Sequence, residues 1–96
     1  MIKHIVLFKF HEENKEQNIQ KAKEMLSVLP NVISELKGIE IGINFDSAPR
    51  AMDMSIYTTF DSVEDLNSYA VDPEHLKVVE FIKQVTEYSK VSDYVI

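Results

Sequence analysis

The chain contains no cysteine, and that absence removes disulfides, thiolate metal sites and cysteine nucleophiles together. It also lacks a basic run. Ten Lys and Arg face 16 Asp and Glu, and the net charge of −6 opposes binding to a phosphate backbone, which needs clustered cations. The same acidity opposes docking on an anionic membrane. No apolar stretch reaches the length of a membrane span. The apolar N-terminal segment ending at Phe8 is followed by Lys9 and has no small-residue cleavage end, so it reads as a strand rather than a signal peptide. There is no phosphate loop, dinucleotide glycine pattern or nucleophile elbow, and no repeat, linker or low-complexity segment. A cysteine-free chain fits a reducing compartment, and a cytoplasmic location is the expectation.

What remains is 96 residues, 45% of them hydrophobic, enough for one domain over residues 1–96. Residues 2–10 place Ile2, His4, Val6, Phe8 and Phe10 on one face of a strand and Lys3, Ile5, Leu7 and Lys9 on the other. Residues 12–29 carry a helical stripe of Ile19, Ala22, Leu26 and Leu29. Pro30 ends this helix or starts another, and a short turn through Ile33 and Leu36 is expected to close at Gly38. Alternation predicts strands over 39–45 and 52–60. Asp61 and Glu64 stand at capping-box spacing before a helix whose stripe is Val63, Leu66 and Tyr69 or Ala70. A further helix is predicted over 73–88, with His75, Val78 or Val79, Ile82 and Val85 inward, and a last strand over 91–96.

The order strand, helix, strand, strand, helix, strand defines an α+β, ferredoxin-like fold with a four-stranded antiparallel sheet in the spatial order fourth, first, third, second. Helices roof one face of such a sheet. The face bearing Ile5 and Leu7 then needs a second copy of the sheet, which predicts a homodimer in the form of a dimeric α/β barrel.

The stretch Tyr69-Ala70-Val71-Asp72-Pro73-Glu74-His75 sets a phenol and an imidazole on either side of a helix break. Asp72 suits a cap, Pro73 a first helical position, and the positive helix end disfavours an imidazolium at His75. A neutral imidazole beside a tyrosine can bind or deprotonate a small polar ligand; the same stretch also reads as an ordinary helix junction. His4, near the start of the first strand, is brought close to Asp93 near the end of the last, where a carboxylate can fix the imidazole tautomer or simply satisfy a polar core pair. The separations of His4, His11 and His75 match no metal-ligand motif, so no metal is expected.

The opening Met1-Ile2-Lys3-His4-Ile5-Val6-Leu7-Phe8-Lys9, the pair Gly42-x-Asn44, the run Phe60-x-Ser62-x-Glu64-x-Leu66-x-x-Tyr69-x-x-x-Pro73-x-His75 and the ending Val91-x-Asp93-Tyr94 together resemble the stress-responsive dimeric α/β-barrel (Dabb) family. The resemblance implies a homodimer and, by likeness to a plant polyketide cyclase of that type, acid–base chemistry without metal or cofactor. It assigns Tyr69, His75, His4 and Asp93 as candidate catalytic groups. Where the cyclase carries a further pocket histidine, this chain has Met54. The expected function is a small organic ligand held between sheet and helices, with Val6, Phe8, Met54 and Ile82 as lining. The alternatives are a cofactor-independent lyase or cyclase using the Tyr/His pair, and a structural or regulatory dimer with a filled core.

Overall fold

The first strand, β1 (Ile2–Phe10), is central because its alternation supplies two faces at once: Ile2, Val6, Phe8 and Phe10 are buried, whereas Leu7 on the other side is exposed. The structure is a computed structural model covering residues 1–96. β1 pairs antiparallel with β3 (Met54–Phe60) on one side and β4 (Thr86–Val95) on the other, and β2 (Gly38–Ile43) adds to β3. The sheet order β2-β3-β1-β4 is the predicted one, and with helices against one face it is the ferredoxin-like arrangement.

Helices α1 (Lys15–Ser27), α2 (Leu29–Val32), α3 (Val63–Val71) and α4 (Pro73–Val85) cover the face of Val6 and Phe8. One core joins Ile19, Ala22 and Leu26 of α1 and Val78 and Ile82 of α4 to Ile56 and Phe60 of β3. No element of the chain covers the opposite face, which carries Ile5, Leu7, Ser55, Tyr57, Lys90 and Tyr94.

Several boundaries differ from the sequence expectation. α1 begins at Lys15 rather than residue 12, because Asn14 turns left-handed at φ 54° and starts the helix there. Pro30 lies in the first turn of α2, so it starts a helix rather than ending one. Gly38 closes no helix: it opens β2, and no glycine has positive φ. β2 stops at Ile43, leaving Phe45 outside the sheet, and β3 starts only at Met54. The α3 cap is Ser62, whose hydroxyl accepts from Asp65 N–H at 3.1 Å, not Asp61. In α3, Tyr69 is the buried choice, and Val63 and Ala70 are exposed. α4 ends at Val85 and runs straight into β4, five residues ahead of the strand expected at 91.

Candidate functional site

The site lies where β1, β4 and α4 converge. The register pairs His4 with Asp93 on neighbouring strands, and the His4 imidazole Nδ1 makes a short contact with the Asp93 carboxylate. A carboxylate only accepts, so His4 Nδ1 carries the hydrogen and Nε2 is left without a partner in the chain. His4 is 17% exposed and Asp93 is 46% exposed, so this pair sits at the sheet edge with the imidazole inward.

His75 is placed by the helix break. Asp72 caps α4 by accepting from Glu74 N–H at 2.8 Å, and Pro73 occupies the first helical turn. This turns His75 back over Tyr69, with ring centroids 4.0 Å apart and 31° between planes. His75 Nδ1 lies 3.4 Å from the Ala70 carbonyl, an acceptor only, which selects the tautomer protonated on Nδ1 and leaves Nε2 as a free base. Burial pushes the His75 imidazole below its ordinary value, and the neighbouring His4 works in the same direction. A histidine held neutral in the fold is protonated more readily in the unfolded chain. Stability is therefore retained above about pH 6.5 and falls as pH drops from there toward the lower folded value. Denaturant midpoints followed from pH 8 to 5 are expected to decline less in His75→Gln than in the parent; equal declines would contradict the buried neutral imidazole.

A cavity of about 180 Å³ opens between the sheet and α4. Its apolar wall includes Val6, Phe8, Ile56, Leu26, Val78, Val79 and Ile82, and its polar groups come from His4, His75 and Ser89. Of the expected lining, Val6, Phe8 and Ile82 stand on this wall. Met54 does not: it is buried in the core further along β3, where a long flexible side chain fills space. Leu26, Val79 and Ser89 are additions that the pattern did not single out as lining. Tyr69 is not part of the wall either. Its ring is 1% exposed and is held between His75, Phe60 at 5.0 Å and His4 at 6.5 Å between centroids. The Tyr69 hydroxyl is buried without a hydrogen-bond partner, and burial pushes its pKa up to about 12, so the phenol stays neutral and able to donate. His11 lies apart from His4 and His75 in a shallow hollow beside Asn14, and no three His, Asp or Glu side chains are grouped to hold a metal ion. No helix is long and apolar enough to cross a membrane.

These features, a βαββαβ sheet with one roofed face and a histidine-bearing cavity beneath it, define a ferredoxin-like α+β protein. The Stress Responsive A/B Barrel Domain matches residues 2–96, and the chain belongs to that family. Among solved structures it is similar to a dimeric protein of unknown function and ferredoxin-like fold from Bacteroides fragilis, at 31% identity and TM-score 0.90, covering 99% of this chain and 95% of that one. A dimeric ferredoxin-like protein from Thermobifida fusca matches at 22% identity and TM-score 0.88, covering 99% and 90%. A hydroxynitrile lyase from Passiflora edulis matches at 20% identity and TM-score 0.88, covering 99% and 92%. No curated protein matches the sequence.

Proposed function

We propose that the protein is a cytoplasmic homodimer that binds a small uncharged organic molecule in the cavity between sheet and helices. The observation that carries this reading is the cavity wall itself. It is apolar except where two imidazoles and Ser89 enter, and each imidazole has one nitrogen committed to a fixed partner and the other free. An apolar body against Val78, Val79 and Ile82, with one hydroxyl O–H or N–H donating to His75 Nε2, matches that chemistry. The dimer is supported by the uncovered sheet face and by the dimeric description of the Bacteroides fragilis and Thermobifida fusca proteins. The absence of cysteine supports the compartment.

A second reading, a cofactor-independent acid–base enzyme, is favoured by the neutral base at His75 and by the lyase from Passiflora edulis on the same fold. In that reading His75 Nε2 takes a proton from carbon next to a carbonyl. The C–H electron pair moves into the enolate, and the imidazolium holds the proton until it is returned to product. Tyr69, buried behind the imidazole, serves to position His75 rather than to touch the ligand.

One experiment separates these readings. Small aldehydes, ketones and alcohols are titrated into the protein while the His4 and His75 ring resonances are followed by NMR. Saturable shifts are expected in the parent and not in Val79→Phe, which fills the cavity. Conversion that disappears in His75→Ala supports the enzyme; shifts without conversion support the binder alone. If no compound in the panel moves either ring, the small-molecule site is wrong.

A further inference from the structure

Phe45 is the most exposed large apolar side chain of the molecule, at 101% of its reference area. It is not on a slack loop. Asn44 N–H bonds to the Asp53 carbonyl at 3.0 Å, Asp46 N–H to Asn44 Oδ1 at 3.2 Å, and Ala48 N–H to Asp46 Oδ1 at 3.2 Å. These turns brace the segment that leaves β2 and hold the ring away from its own chain. An aromatic ring held out in this way is pre-ordered for burial elsewhere.

The same side of the molecule carries a hole. Gly42 of β2 pairs with Ser55 of β3, and a Cβ added at Gly42 would meet nothing within 4 Å. With Glu40 and Tyr57 on its rim, this pit on the uncovered sheet face measures about 310 Å³. Gly42 and Ser55 also border the adjoining hollow that holds Phe45, Arg50 and Leu7, so knob and hole belong to one continuous patch. A two-fold interface requires this arrangement, because one patch must complement itself. The charges agree. Arg50 is the chain's sole arginine and Glu40 is exposed, and neither takes part in any ion pair of the protomer.

We propose that Phe45 of one protomer seats in the Gly42–Ser55 pit of a second copy, with Arg50 of the first meeting Glu40 of the second. This inference rests on the homodimer reading and names its anchors. Phe45 is the central apolar contact, and the Arg50–Glu40 pair at the rim fixes the register.

Sedimentation of the full chain over a concentration series tests it. Phe45→Ala is expected to raise the dimer dissociation constant about 10³-fold, because symmetry removes two anchors worth about 30-fold each. Circular dichroism should show native secondary structure in this variant, since the ring contacts nothing in its own fold. Glu40→Arg and Arg50→Glu should each weaken association, and the two together should restore it. A parent chain that is monomeric throughout overturns the homodimer reading, and this one with it. A dimeric parent whose constant is unmoved by Phe45→Ala, or whose charge reversals do not rescue one another, overturns only the anchor assignment.

Discussion

Phe60→Ala is expected to cost about 3–5 kcal/mol of folding stability, a large share of the roughly 5–15 kcal/mol available to a domain of this size. Phe60 ends β3 opposite Ile2 and is 0% exposed. Its ring packs on Tyr69 at 5.0 Å and on the edge of His4 at 6.5 Å between centroids. Truncation leaves a cavity beneath both groups, and the walls of a small core relax only in part. Phe60→Leu keeps most of the volume and should cost less than about 1.5 kcal/mol. Urea denaturation of both variants checks the pair of values. A loss below about 1 kcal/mol in the alanine variant would mean that Phe60 does not support the site. The functional corollary is that a folded Phe60→Ala chain loses the fixed tilt of His4 and Tyr69, and with it ligand affinity.

The fold was legible where one face is buried. β1 and β3 alternate without a break, so the face each buries follows from period, although the alternation at Met52 runs two residues ahead of the start of β3. The sheet order follows from the order of elements. β4 was misread over Thr86–Lys90 because it is an edge strand exposed almost throughout, with no buried face to imprint a period. The helical spacing of Val78, Ile82 and Val85 also runs smoothly into it. Only the ladder to β1, with Phe10 opposite Thr86 and Phe8 opposite Ser89, fixes that segment as strand. The two caps missed at α1 and α3 have another cause. Asp61 and Ser62 are both good capping residues, and the choice between them is made by backbone direction, as is the left-handed Asn14.

The site divides along similar lines. His4 opposite Asp93 follows from strand order and length, and His75 turning back over Tyr69 follows from the cap at Asp72 and the proline after it. The cavity wall was harder. Ser89 falls between the helix predicted to residue 88 and the strand predicted from 91, so no face could be given to it, and Leu26 carries the same signal as any core leucine. Met54 shares its strand face with Ile56, yet two residues along a strand are enough to move a side chain out of a cavity this small. Face and period locate a site to one side of a sheet; the contacts of α4 decide which positions along the strand reach it.

Tyr69→Phe is expected to make the unliganded protein more stable while keeping the ring that backs His75. The Tyr69 hydroxyl is buried with no partner. Its removal deletes an unsatisfied polar group and should gain about 1–3 kcal/mol at neutral pH. The same burial makes a second, independent prediction at high pH. In the unfolded chain the phenol ionises at its ordinary value of 10.0, and in the fold only at about 12. Between these values the unfolded state gives up a proton that the native state keeps, so stability falls as pH rises through the window. The loss amounts to about 2–3 kcal/mol by its upper end. Tyr57, Tyr88 and Tyr94 are present in both proteins, so subtracting the Tyr69→Phe curve from the parent isolates Tyr69. Urea midpoints from pH 8 to 11 should therefore diverge, the parent declining more steeply above pH 10. Parallel curves would contradict the buried neutral phenol, and a phenylalanine variant less stable at pH 7 would show that the hydroxyl has a partner in solution. A stabilised variant that also binds less tightly would mark Tyr69 as a group kept for the site at the expense of the fold, the trade expected where a polar atom is buried for function.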